Sequence, residues 1–149
     1  MPISLRLRLR SRRREAEVEL IALVNTGFIS ESPDVMLPTG VASELGLWPP
    51  PEDALMASAD TAGGGAVVYV VPGALEVSVV EEDRTVGPVM SNAVVNPSVN
   101  RVLISDYLAE ELRIQVLYPR RGLWRFSDDE PGRLRRSHAR EGLLRAKGT

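Results

Sequence analysis

The sequence predicts a mainly β, single-domain protein with one or two short helices, and three features predict it. Residues 3–10 alternate apolar and polar without exception, the period-two pattern of a half-buried strand. Apolar or alternating runs of strand length recur at 66–71, 75–79 and 102–104, each ending at Gly, Pro or a polar residue. Helical spacing is confined to short segments. A chain of 149 residues has room for one hydrophobic core and little for a second.

In chain order, Ile3, Leu5, Leu7 and Leu9 form the inner row of a first strand, with Arg6, Arg8 and Arg10 outside. Arg12-Arg13-Arg14 reads as a turn. Ala16, Val18, Leu20 and Ala22 form the inner row of a second strand, and Glu15, Glu17 and Glu19 are placed to face the arginines across an antiparallel pair. A short strand at 34–37 precedes a short helix, with Thr39 as the expected N-cap, Val41 and Leu45 at i, i+4, and Gly46 just past the end. Trp48-Pro49-Pro50-Pro51 forces an extended connector.

Residues 54–60 and 66–71 then read as the arms of a hairpin whose tip holds Gly63, Gly64 and Gly65, either an ordinary flexible turn or a lid over a cleft. Pro72-Gly73 is expected to break the run before a strand at 75–79. Another strand spans 86–95, with Gly87-Pro88 as a bulge or edge. After residues 102–104, Ser105 suits an N-cap and Asp106 the first turn of a helix near 106–112, buried through Leu108 and Leu112. Strands at 114–118 and 123–126 end the pattern. The composition then changes, so the expected division is a domain over 1–126 and a polar, basic tail over 127–149, helical at most over 133–146.

A hydrophobic fraction of 44% fits a globular fold. The absence of cysteine removes disulfide and thiol chemistry, and the single His138 argues against a histidine zinc site or a Ser-His-Asp triad, so no metal or cofactor is expected. No apolar run approaches 18 residues and no signal-peptide pattern is present, which gives a cytoplasmic protein without a membrane partner as the expectation. Net charge is −2, with arginines gathered at both ends. Basic ends can bind nucleic acid, but no recognition motif accompanies them, and a solvated strand face is the simpler reading.

One stretch stands apart. Four apolar residues, 21–24, stop at Asn25-Thr26-Gly27-Phe28, a strand feeding a tight polar turn. Further on, Met36-Leu37-Pro38 is followed by Ala42-Ser43-Glu44-Leu45-Gly46-Leu47, then by Val102-Leu103-Ile104-Ser105, Leu112-Arg113-Ile114 and Gly122-Leu123-Trp124. Taken in order over roughly residues 3–126, these pieces resemble the retropepsin-like aspartic peptidases of cellular and archaeal type, whose loop reads apolar-apolar-Asp-Thr-Gly.

The resemblance implies a closed acid-protease barrel with a Gly-rich flap hairpin, working as a homodimer with its cleft on the two-fold axis and a peptide or protein as substrate. It places Asn25 at the catalytic Asp, with Thr26 bonding across the axis and Gly27 allowing close approach. It assigns Phe28, Gly63, Gly64, Gly65 and Ile104 to substrate binding. The family chemistry needs two carboxylates sharing a proton, and the Asn25 amide can act neither as general base nor as acid. A chain inactive or crippled in peptide hydrolysis is therefore expected. Asp34, Asp60 and Asp106 are the candidate substitute acids, with Asp60, near the flap, foremost among them. Nothing in sequence pairs it with a second acid, and a solvated hairpin carboxylate is the simpler reading. Ser105 in place of the family glycine is read as a helix cap. A natural pseudo-enzyme, an introduced Asp-to-Asn change and pairing with an Asp-bearing chain all fit Asn25. The alternatives are a non-catalytic peptide-binding module and, behind it, a nucleic-acid-binding barrel using the Arg-rich ends.

Overall fold

The computed structural model describes residues 3–24, 27–61 and 64–138. Alternation at the N-terminus becomes β1 (Ile3–Ser11), which pairs antiparallel with β2 (Glu17–Val24). Leu5, Leu7 and Leu9 have no exposed surface, each burial stabilising by about 1.5–3 kcal/mol. On the outer face Arg8 stands opposite Glu19, with its Nη2 3.1 Å from the carboxylate, and Arg10 stands opposite Glu17. Arg6 faces Ile21 rather than a third glutamate.

The chain continues through β3 (Asp34–Leu37), α1 (Thr39–Glu44), β4 (Leu55–Thr61), β5 (Gly64–Val80), β6 (Thr85–Val95), β7 (Val102–Ile104) and α2 (Asp106–Glu111). The large sheet runs β1-β2-β7-β3-β6-β5-β4, and β5 returns to pair with β1, so six strands close into a barrel and β4 lies outside it. The mainly β architecture with two short helices is thus as expected. A second sheet, ordered β10-β9-β8, is built from β8 (Ile114–Tyr118), β9 (Leu123–Phe126) and β10 (Arg135–Arg136), with a 3-10 turn (Pro119–Arg121) before β9. It adds Trp124 and Phe126, both fully buried, to the core of Leu37, Leu45, Leu75, Leu108 and Leu112.

Several local expectations need correction. Pro38, not Thr39, is the N-cap of α1, and Thr39 is its first residue; Gly46 follows the helix at φ +75°, as expected. Pro72-Gly73 does not end a strand. β5 runs straight through it, because Gly73 takes φ +56°, its N–H donates to Asn92 Oδ1 and its carbonyl accepts from Arg12 Nη1. Pairing with β6 merely shifts register there, and again between Val77 and Val79, opposite Gly87. A Cβ at Gly87 would lie 2.6 Å from the Val77 carbonyl oxygen, so this bulge requires glycine.

The composition change at Ser127 does not mark the edge of the folded unit. Residues 127–138 turn back, and Arg135 pairs with Trp124 and Arg136 with Leu123 across β10 and β9. No helix occupies the described part of 133–146; residues 139–149 lie outside the described residues. The cause is electrostatic. Arg135, with a side chain only 3% exposed, forms paired bonds to Asp129 at 2.8 and 2.9 Å and to Asp83 at 2.8 and 2.9 Å, over the rings of Trp124 and Phe126. Ser137 Oγ accepts from Ser4 N–H at 2.7 Å, and His138 N–H donates to the Ser4 carbonyl, so this segment seals the start of β1.

Candidate functional site

The chain leaves the sheet at Val24 and re-enters at Asp34 on the far side of β7. Ile104 lies between them, paired parallel with Val24 and antiparallel with Val35. Residues 27–33 therefore cross the end of β7, where α2 begins. Asn25 and Thr26 lie outside the described residues, as does Gly63. Gly27 sits exposed at the turn, and Phe28 is half-buried.

What holds this crossing is a polar lattice. Asp106 N–H donates to the Phe28 carbonyl at 3.0 Å, and Asp106 Oδ1 accepts from Ser30 N–H at 3.0 Å. Ser105, fully buried, joins three segments: its hydroxyl accepts from Asp34 N–H and Leu108 N–H and donates to the Ser32 carbonyl. The buried Asp34 carboxylate accepts from Ser32 Oγ and Asn92 Nδ2, both at 2.9 Å, and from Ser30 Oγ. Four bonds thus anchor the loop from behind through the side chains of Asp34 in β3, of Ser105 at the start of α2 and of Asp106 in its first turn, and Asn92 of β6 braces Asp34.

The lattice decides the roles of two acids. Asp34 is enclosed by donors that hold the loop, and Asp106 accepts from the Ser30 and Tyr107 amides. Both serve as supports. For Asp60 only the backbone is described, pairing with Gly65. Ser105 caps α2, as its position before Asp106 suggests. Its replacement by alanine would leave two buried N–H groups unpaired, so Ser105→Ala should cost about 2–3 kcal/mol, read as a lower urea midpoint at unchanged slope.

The β4–β5 hairpin borders the same apolar cluster as the loop. Gly64 and Gly65 are strand residues opposite Thr61 and Asp60, leaving only 62–63 as the connection. A Cβ at Gly65 would meet nothing within 4 Å, so packing does not demand glycine there. On one side of the hairpin Val68, with Ala59 and Val70, joins Met36 and Val94 in an apolar cluster. Phe28, Leu103 and Val99 complete it, separately from the main core. Hairpin and loop are therefore in one apolar environment. Ile104, by contrast, has no exposed surface and belongs to the main core, so its side chain presents nothing to a ligand.

Beside the loop, a cavity of about 440 Å³ is lined by Val24, by Asp106, Ala109 and Glu110 of α2, and by the start of β8. Among the described residues no cluster of His, Cys, Asp and Glu is placed to hold a metal, and no helix is long and apolar enough to cross a membrane.

Ser30, Ser32 and Asn92 were not legible as functional residues. The available signal was Ser30-x-Ser32-x-Asp34 ahead of an apolar strand, alternate side chains able to bond the same carboxylate. No protein-family model matches the chain, and no curated protein matches it.

Proposed function

We propose that the chain is a retropepsin-like aspartic peptidase homologue that assembles as a two-fold dimer, binds extended peptides, and is catalytically silent because Asn25 replaces the carboxylate. The observation that supports this reading is the apolar cluster of Met36, Val68 and Val94, against which both Phe28, next after Asn25-Thr26-Gly27, and the hairpin residues Ala59 and Val70 pack. A peptide enters between hairpin and loop as an added strand, held by backbone bonds and by side chains against the cluster. Catalysis in the family needs one carboxylate to take a proton from water and a second to donate one to the carbonyl oxygen. An amide at both positions supplies neither, while its hydrogen bonds still hold a peptide or a water.

The arginines give the nucleic-acid alternative little support. Arg13 forms a two-pronged pair with Asp53 at 2.8 and 2.9 Å, and Arg14 donates to the Glu44 carbonyl at the end of α1. Arg12 bonds Gly73, and Arg8 bonds Glu19. These cations act within the fold.

Binding without turnover is the expected behaviour. Titration calorimetry with pepstatin, a statine-containing peptide, should show saturable binding to the chain as written, weakened about tenfold or more by Phe28→Ala. Absence of binding by the folded chain would contradict the reading.

A further inference from the structure

β5 belongs to the hairpin at one end and to the barrel at the other. Its residues 64–70 pair with β4 and 75–79 with β1, and between them Pro72, Gly73 and Ala74 fall out of register with β6. Long-range bonds hold this root of the hairpin. Arg12 Nη1 donates to the Gly73 carbonyl at 3.1 Å, Arg13 Nη2 to the Pro72 carbonyl at 3.3 Å, and Gly73 N–H to Asn92 Oδ1 at 2.9 Å. The same Asn92 also reaches the loop. Its Nδ2 donates at 2.9 Å to Asp34 Oδ1, in the carboxylate that takes Ser30 and Ser32, and its backbone N–H donates to the Pro33 carbonyl at 2.9 Å.

We propose that Asn92 is a positioning residue that couples the root of the hairpin to the 27–33 loop, so that a peptide seated between the two orders both through one amide. The chemistry selects asparagine. Gly73 N–H can only donate and an ionised Asp34 can only accept, so the bridge needs an acceptor and a donor on one short planar group. Aspartate in its place would keep the acceptor but set a second carboxylate against Asp34. Leucine would fill the space and bond neither partner. With both ends of the amide engaged, a shift of either segment must break its own bond to Asn92 or drag the amide from the other. The effect of a bound peptide rests on the proposed function; the bridge itself does not.

The test exchanges donor and acceptor, with circular dichroism confirming the fold of each variant. Asn92→Asp should weaken pepstatin binding about tenfold and speed hydrogen exchange at the Ser30 N–H of the loop. Adding Asp34→Asn supplies the missing donor from the other side and should restore both to within a few-fold. A side chain that only fills space predicts the opposite, two losses that add. In the unmodified chain, saturating pepstatin should slow exchange at Gly73 N–H about tenfold, and this slowing should be lost in Asn92→Asp. A paired variant no better than Asn92→Asp alone, or Gly73 exchange in the unmodified chain indifferent to bound pepstatin, overturns the coupling and leaves the peptide reading intact. A folded chain that binds no pepstatin overturns the peptide reading instead, and Ser30 exchange in the single and paired variants still decides the bridge.

Discussion

Arg135→Ala should destabilise the protein by about 3–5 kcal/mol, the loss expected when one member of a buried ion pair is removed and the other stays behind. Asp129, whose side chain is 5% exposed, would be the stranded partner. It would keep the Phe126 N–H at 2.8 Å and Arg84 at 3.2 Å, but lose both bonds from Arg135. The second loss is packing, since the guanidinium centre lies 4.8 Å from the Phe126 ring centroid and 5.8 Å from that of Trp124. Arg135→Lys keeps the charge without the planar fork and should fall between. Denaturant unfolding measures both. A change within about 0.5 kcal/mol, as for an ordinary surface site, would show that residues 127–138 are an appendage after all.

The same network sets an acid limit. Hydrogen bonds from Arg135 hold the Asp129 carboxyl well below the usual carboxylate range and lower that of Asp83 to about 2. A carboxyl depressed in the folded state stabilises the fold above its unfolded pKa of about 3.9, and the contribution is lost as pH falls through the folded value. Stability should therefore decline from about pH 4 downward through pH 2. In Arg135→Ala that part of the profile should flatten. Above pH 4 the clamp remains ionised, so assays at mildly acidic pH examine a folded chain.

How far the sequence could be read depended on the range of the interactions. Leu5, Leu7 and Leu9 announced β1 because a half-buried strand writes its environment into every second residue. Ser105 before Asp106, and Leu108 with Leu112, announced α2 for the same local reason. Pro72-Gly73 misled because its continuity through β5 depends on Arg12 and Asn92, distant in sequence. Arg135 misled further. Within a basic stretch it reads as solvated, and only the arrival of Asp83 from the β5–β6 turn makes it a core residue. At the candidate site the turn and hairpin were visible as motifs. The Asp34 lattice was not, since serines before a strand look like any polar loop until Asn92 and α2 close around them.

The largest functional effect is expected from Asn25→Asp. The change is nearly isosteric and returns a group able to share a proton with its two-fold mate. Positioned acid–base help contributes typically about 10²–10⁴-fold, and both halves of the site gain it together. A non-catalytic binding module would share the peptide affinity and gain nothing from this substitution.

The most direct measurement is therefore peptide cleavage by the unmodified chain and by Asn25→Asp, side by side, at mildly acidic pH with and without pepstatin. The proposed function requires no pepstatin-sensitive cleavage by the unmodified chain and a gain of about 10²–10⁴-fold in the variant, abolished by pepstatin. Pepstatin-sensitive cleavage by the chain carrying Asn25, or a folded, dimeric, peptide-binding Asn25→Asp that remains inert, would contradict it.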